Sequence, residues 1–255
     1  MKKRFIINSL AAAVLIISIA LSGCVEETEN KIIIGTSADY PPFEYVEGGE
    51  IVGFDIEMVT ILLENLDYTV EVQDIGFDSL IPSLQSGKID VIAAAMTITD
   101  ERDQQIDFSD PYYESDQSVL TLVVSGFEIS GIEDLANLTV GVQTGTTGEL
   151  WVWDNLINIT NATMTDDQLK RYDTYTLAVL DLDNGNIDAI VLDKPVAYAF
   201  AEDEDREVAY AEVTGEFLGL GVQEGNIELV EGLNEELEKL IGSEEWNALL
   251  TKYFE

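Results

Sequence analysis

Arg102 is the only arginine between Arg4 and Arg171. It follows Thr97-Ile98-Thr99-Asp100-Glu101, where the threonines suit a helix start and the acids a first turn. A guanidinium grips a carboxylate through two parallel hydrogen bonds, so Arg102 is a candidate anion ligand. The competing reading is a surface salt bridge to one of the nearby acids. Far along the chain, the apolar run Ala189-Ile190-Val191-Leu192 ends at Asp193. A carboxylate just past a buried strand can pair with an ammonium group, or cap the turn ahead of Lys194-Pro195. Between the two lies Gln143-Thr144-Gly145-Thr146-Thr147-Gly148-Glu149. Small residues ahead of a helix expose main-chain N–H groups and seat an anion. A nucleotide phosphate loop needs a lysine after its last glycine; none is there, so a ligand carboxylate suits the loop better.

Aromatic residues sit on two polar segments. In Thr36-Ser37-Ala38-Asp39-Tyr40-Pro41-Pro42-Phe43-Glu44-Tyr45 the prolines stiffen the chain. Tyr40, ahead of them, is a candidate to face a ligand, and Phe43 reads as local packing. Phe77, in Ile75-Gly76-Phe77-Asp78, is either a ligand contact or a helix-start staple.

These residues need elements to position them. Apolar runs over 32–35 and 89–94 read as buried strands, and alternation over 68–72 reads as another. Helical spacing runs over 54–65 and 79–86. Strand and helix in alternation predict an α/β fold with mostly parallel sheets, whose ligands sit beyond the carboxyl ends of the strands. The pattern then repeats. Leu84-Gln85-Ser86-Gly87-Lys88-Ile89-Asp90-Val91-Ile92 matches Leu182-Asp183-Asn184-Gly185-Asn186-Ile187-Asp188-Ala189-Ile190, and Ile33-Ile34-Gly35-Thr36 matches Thr139-Val140-Gly141-Val142. Two similar lobes are expected. The last forty residues fall outside the second copy: a strand over 219–222, then helices over 226–241 and 243–254. A first lobe over 31–115, a second over 116–215 and a return to the first over 216–255 make two crossings, a hinge that bends without unfolding either lobe.

Lys2, Lys3 and Arg4 precede an almost unbroken apolar run over 5–21, too short for a comfortable membrane span. The run ends in Leu21-Ser22-Gly23-Cys24. That pattern resembles a lipobox, which makes 1–23 a signal peptide, Cys24 the lipidated first residue and 24–30 a linker. Cys24 is the only cysteine, so no disulfide forms within the chain. The net charge is −38, which repels nucleic acid and anionic headgroups. There is no histidine, which excludes a His base and the usual zinc or copper sites. No spaced Asp-x-Asp-x-Asn-Gly calcium loop occurs, and no metal or cofactor is expected. Asn137, Asn158 and Asn161 fit the acceptor pattern for N-glycosylation.

Taken in order, these segments resemble the family 3 extracellular solute-binding proteins, the polar amino-acid receptors of ABC importers. The resemblance covers about 31–255. It is carried by Gly35-Thr36 and Tyr40-Pro41-Pro42-Phe43-Glu44, Gly53-Phe54-Asp55, residues 77–90 from Phe77-Asp78 to Ile89-Asp90, Thr97 to Arg102 as quoted, Phe108-Ser109-Asp110-Pro111-Tyr112-Tyr113, Gly141-Val142-Gln143-Thr144-Gly145-Thr146-Thr147, and Asp193. It implies a two-lobed fold of the type II periplasmic binding kind that closes like a flytrap, a monomer, an ABC permease as partner and no enzymatic activity. It also implies roles. Arg102, with Thr97 and the N–H groups of Thr146 and Thr147, would hold a ligand α-carboxylate. Asp193, with the Ala95 carbonyl and the Thr97 hydroxyl, would hold the α-ammonium. Tyr40 and Phe77 would sandwich the side chain, while Ser37, Asp39 and Gln143 would set its preference. Ser37 departs from receptors that carry an acid there for some basic or amide ligands, which tells against a strongly cationic ligand unless Asp39 compensates; the resemblance implies a free L-amino acid, polar or basic. The absence of a second cation disfavours acidic ligands.

Exported dehydratases acting on cyclic amino-acid precursors resemble the same fold and need an acid to protonate a leaving hydroxyl. The abundant carboxylates leave that reading open. A sensor reporting to a separate membrane partner is the third.

Overall fold

The structure is a computed structural model that describes residues 30–255; the expected leader, Cys24 and nearly all of the linker lie outside them. In chain order the elements are β1 (Lys31–Thr36), β2 (Asp39–Tyr40), β3 (Glu44–Glu47), β4 (Glu50–Val52), α1 (Phe54–Asn65), β5 (Thr69–Asp74), α2 (Leu80–Gln85), β6 (Val91–Ile92), α3 (Asp100–Asp103), β7 (Asp107–Phe108) and β8 (Tyr113–Leu122). There follow β9 (Val140–Gln143), α4 (Thr147–Val152), β10 (Leu169–Tyr172), α5 (Tyr175–Asp183), β11 (Ala189–Asp193), α6 (Lys194–Phe200), β12 (Arg206–Leu218), β13 (Gly221–Val222), α7 (Ile227–Leu240) and α8 (Glu244–Phe254). No helix among the described residues is long and apolar enough to cross a membrane.

Two five-stranded sheets form two lobes. Their orders are β5-β1-β6-β13-β7 and β10-β9-β11-β8-β12. In each, two neighbouring pairs are parallel and two antiparallel. Each sheet is therefore more mixed than the strand–helix alternation suggests. In each sheet one strand next to a crossing, β13 in the first and β8 in the second, runs opposite to all the others. β8 and β12 pair from Tyr113↔Leu218 at the junction to Leu122↔Arg206 deep in the second sheet. After β12 the chain adds β13 to the first sheet, and α7 and α8 contact α1. Aromatic edges make that seam: Phe54 lies 5.2 Å from both Trp246 and Phe254, and the fully buried Phe43 lies 5.4 Å from Phe254.

The repeat read in the sequence has a physical basis. Gly87 and Gly185 both follow a helix with left-handed φ, +68° and +69°, a conformation that favours glycine. Ile89 and Ile187 then lie over Gly35 and Gly141, so close that an added Cβ would come within 2.3 Å and 2.6 Å of them. β6 is shorter than the apolar run over 89–94: only Val91 and Ile92 keep ladder register, and the chain beyond Ala94 turns toward the lobe junction.

Candidate functional site

Arg102 is fixed from both sides. Thr99 caps α3 by accepting the Arg102 N–H at 3.2 Å. The guanidinium donates Nη1 to the Thr97 carbonyl at 2.7 Å and Nη2 across the lobes to the Gly145 carbonyl at 3.0 Å. Its carbon lies 5.4 Å from the Phe77 ring centroid. The side chain is only 7% exposed and makes no ion pair among the described residues, which removes the surface salt-bridge reading. Burial pulls its pKa down to about 10, opposed by Asp193 and Glu216, so it stays charged at neutral pH. A buried guanidinium with no direct ion pair is a candidate anion site.

Asp193 ends β11 and is 4% exposed. Its Oδ1 accepts Gln117 Nε2 at 2.9 Å, and its N–H donates to the Tyr40 hydroxyl from the other lobe at 3.0 Å. Burial, then the charge of Glu216, raises its pKa to about 7. Gln117 Nε2 also donates to Glu216 Oε1 at 2.9 Å, while Thr97 Oγ1 donates to Glu216 Oε2 at 3.0 Å. A register break in β12 aims Glu216 there. Gly215 has φ +64°, and Asp116 Oδ1 accepts the N–H groups of Thr214 and Gly215 at 3.1 and 3.2 Å.

Glu44 opens β3, just after the Pro-Pro-Phe turn. It is fully buried, and neither carboxylate oxygen has a hydrogen-bond partner. Burial, with Asp55, Asp39 and Asp193 nearby, lifts its pKa well above the usual carboxylate range. Unpaired buried acceptors are rare and need a reason. Tyr175, at the start of α5, lies 5.1 Å from the Tyr40 ring. Close by, the Ser37 hydroxyl donates to Asp39 Oδ1 at 3.0 Å, and Gln143 Nε2 reaches Ser37 Oγ at 3.4 Å.

One cleft gathers Ser37, Tyr40, Phe77, Ala95, Thr97, Arg102, Gln143, Thr146, Thr147 and Asp193. Asp39 does not line it: its carboxylate accepts the Tyr175 N–H and faces a neighbouring hollow shared with Asp74 and Thr174. Thr146 caps α4, taking the Glu149 N–H at 3.2 Å and donating to the Gln143 carbonyl at 2.9 Å. Glu44, Gly148 and Tyr175 line the cleft, although the sequence reading assigned none of them a ligand role. The acid beside Phe43 and the aromatic just past β10 were the available signals. The lobes are drawn together, and the remaining void is about 10 Å³, room for about one water. Any larger solute enters only when they part.

A cation and several carboxylates facing one another between two α/β lobes define a two-lobed solute-binding protein. The chain belongs to the bacterial extracellular solute-binding proteins, family 3, whose family model matches residues 32–255. It is 36% identical to the putative ABC transporter arginine-binding protein 2 of Escherichia coli K12, over 95% of this chain and 97% of that one. An ancestral arginine-binding protein bound to arginine superposes with TM-score 0.82 at 36% identity, covering 89% of this chain and 99% of the other. An ancestral amino-acid-binding protein described as a precursor of cyclohexadienyl dehydratase superposes with TM-score 0.79 at 31% identity, covering 89% and 96%. With binding proteins as its relatives, the chain is a solute-binding protein and not an enzyme.

Proposed function

We propose that the protein captures a free L-amino acid with a cationic side chain outside the cell and delivers it to an ABC permease. The observation that carries this reading is Glu44, a fully buried and unpartnered carboxyl on the same cleft as Arg102 and Asp193. Three ionisable groups match three charges on such a ligand. Arg102, with Thr97 and the N–H groups of Thr146 and Thr147, takes the α-carboxylate. Asp193, with the Ala95 carbonyl and the Thr97 hydroxyl, takes the α-ammonium. Tyr40 and Phe77 flank the side chain, and Glu44 takes its charge, with Ser37 and Gln143 on the same cleft. Asp39 acts from the rim by holding the lobes in register. Closure of 31–115 and 216–255 onto 116–215 engages both ends of the ligand at once, so ligand shifts the population toward the closed form.

In this reading Cys24 carries the lipid that holds a monomer on the outer face of the membrane. The support is Leu21-Ser22-Gly23-Cys24, with a family of extracellular proteins behind it. A thermal-shift screen of the twenty amino acids tests ligand choice, because ligand that binds only the folded form raises Tm by mass action. Arginine, lysine or histidine should give the largest shift. A shift confined to neutral or acidic amino acids would remove the cationic reading.

A further inference from the structure

Ala95 has a left-handed φ of +44°. The other non-glycine residues with positive φ among those described are Asp67 and Asn161, types that tolerate this region. An alanine has no polar side chain to stabilise it, so its surroundings must impose it. Ala95 is 5% exposed and lines the cleft.

The Ala95 N–H is held by a carboxyl from the lobe core. Asp55, in the first turn of α1, accepts the Ala95 N–H on Oδ2 at 2.8 Å. The same oxygen accepts the Tyr112 hydroxyl at 2.6 Å. Asp55 is fully buried, and its Oδ1 has no partner. Tyr112 stands one residue before β8, and its N–H donates to Leu218 O at 3.0 Å at the end of β12. The stretch after Ala95 is clamped to the same crossing: Gly219 N–H to Met96 O at 3.0 Å, and Ile98 N–H to Phe217 O at 2.8 Å. Asp55, the cleft wall and both crossings thus form one closed circuit of hydrogen bonds. An apolar residue at 55 would leave two buried donors unpaired.

We propose that Asp55 is a positioning residue for the ligand's α-ammonium, holding the Ala95 peptide in the left-handed turn that presents its carbonyl to the cleft. This rests on the amino-acid reading given above. Asp55 never touches the ligand. Its carboxyl sets the direction of a main-chain acceptor, and its bond to Tyr112 ties that acceptor to the crossing that moves on closure.

The test compares L-arginine with 5-guanidinopentanoate, the same molecule without its α-amino group, by titration calorimetry on wild type, D55A and D55A/A95G. D55A should weaken L-arginine roughly tenfold and the amine-free compound less than about threefold. Glycine adopts positive φ freely, so D55A/A95G should recover part of the loss. Equal loss for both compounds, or no recovery in the double variant, would overturn the assignment. Should the alanine variant fail to fold, D55L fills the volume without an acceptor and carries the same comparison. A wild type that binds no L-arginine refutes the cationic reading of the site. In that event the crystal structure of D55A decides the positioning role: residue 95 leaving the left-handed region supports it, and residue 95 remaining there refutes it.

Discussion

Asp90 and Asp188 do the same work in different lobes. Asp90 Oδ2 accepts the Ile33 N–H at 2.8 Å, and Asp188 Oδ2 accepts the Thr139 N–H at 2.7 Å. The main chains reciprocate: the Asp90 and Asp188 N–H groups donate to Ile33 O and Thr139 O, each at 2.8 Å. Each aspartate pins a helix–glycine–strand unit onto a neighbouring parallel strand: β1 in the first lobe, the start of β9 in the second. Replacing either with alanine leaves a main-chain donor unpaired and should lower stability by about 1–3 kcal/mol in urea denaturation. The pair of changes should add to within about 0.5 kcal/mol, since the two sites share no partner. Strong non-additivity would mean that the lobes do not stabilise independently.

Arg102→Ala should weaken amino-acid binding by about 3–5 kcal/mol, more than a hundredfold, because a desolvated ligand carboxylate loses its counter-ion. Arg102→Lys keeps the charge but loses the fork that also reaches Thr97 O and Gly145 O, so partial loss is expected. Calorimetry showing less than a fivefold change for the alanine variant would remove Arg102 from the site.

Glu44→Gln should separate binding from folding. The carboxyl has no partner to lose in the ligand-free protein, and an amide is not forced to give up a charge in that setting. Melting temperature without ligand should hold or rise. Affinity for a cationic amino acid should fall by about 1.5–3 kcal/mol, the worth of a hydrogen bond to a charged group. Unchanged affinity for arginine, with the fold intact, would mean that Glu44 does not read the side chain.

The two carboxyls at about 7, Asp55 and Asp193, set a pH dependence. Both are raised from 3.8, so between roughly pH 4 and 7 the folded form holds protons that the unfolded chain has released. Their contribution to stability is greatest at low pH and is lost as pH rises through 7. The ligand-free protein should therefore melt higher at pH 5.5 than at pH 8. Binding runs the other way. An ammonium needs Asp193 charged, so capture near pH 7 releases a proton, and affinity falls by up to about tenfold per pH unit below 7. Calorimetry in two buffers of different ionisation heat counts the protons released by Asp193 and by Glu44 together; zero release would refute both charge assignments.

Much of this was visible in the chain. The helix over 54–65 was legible because its apolar spacing is regular, and it coincides with α1. Arg102 and Asp193 stood out because one is a solitary guanidinium and the other ends an apolar strand. Glu216 was invisible for a physical reason. Its aim depends on a break in β12 that is held by Asp116, about a hundred residues away. Tyr175 follows β10, where Lys170 and Arg171 hide the alternation of a strand. The left-handed Ala95 gives its N–H to Asp55, forty residues upstream, and no local propensity announces it.

The link between the lobes is a single ribbon, because β8 and β12 are hydrogen-bonded to each other at the junction itself. Two strands held in register there give the lobes a hinge that changes their angle without taking either sheet apart.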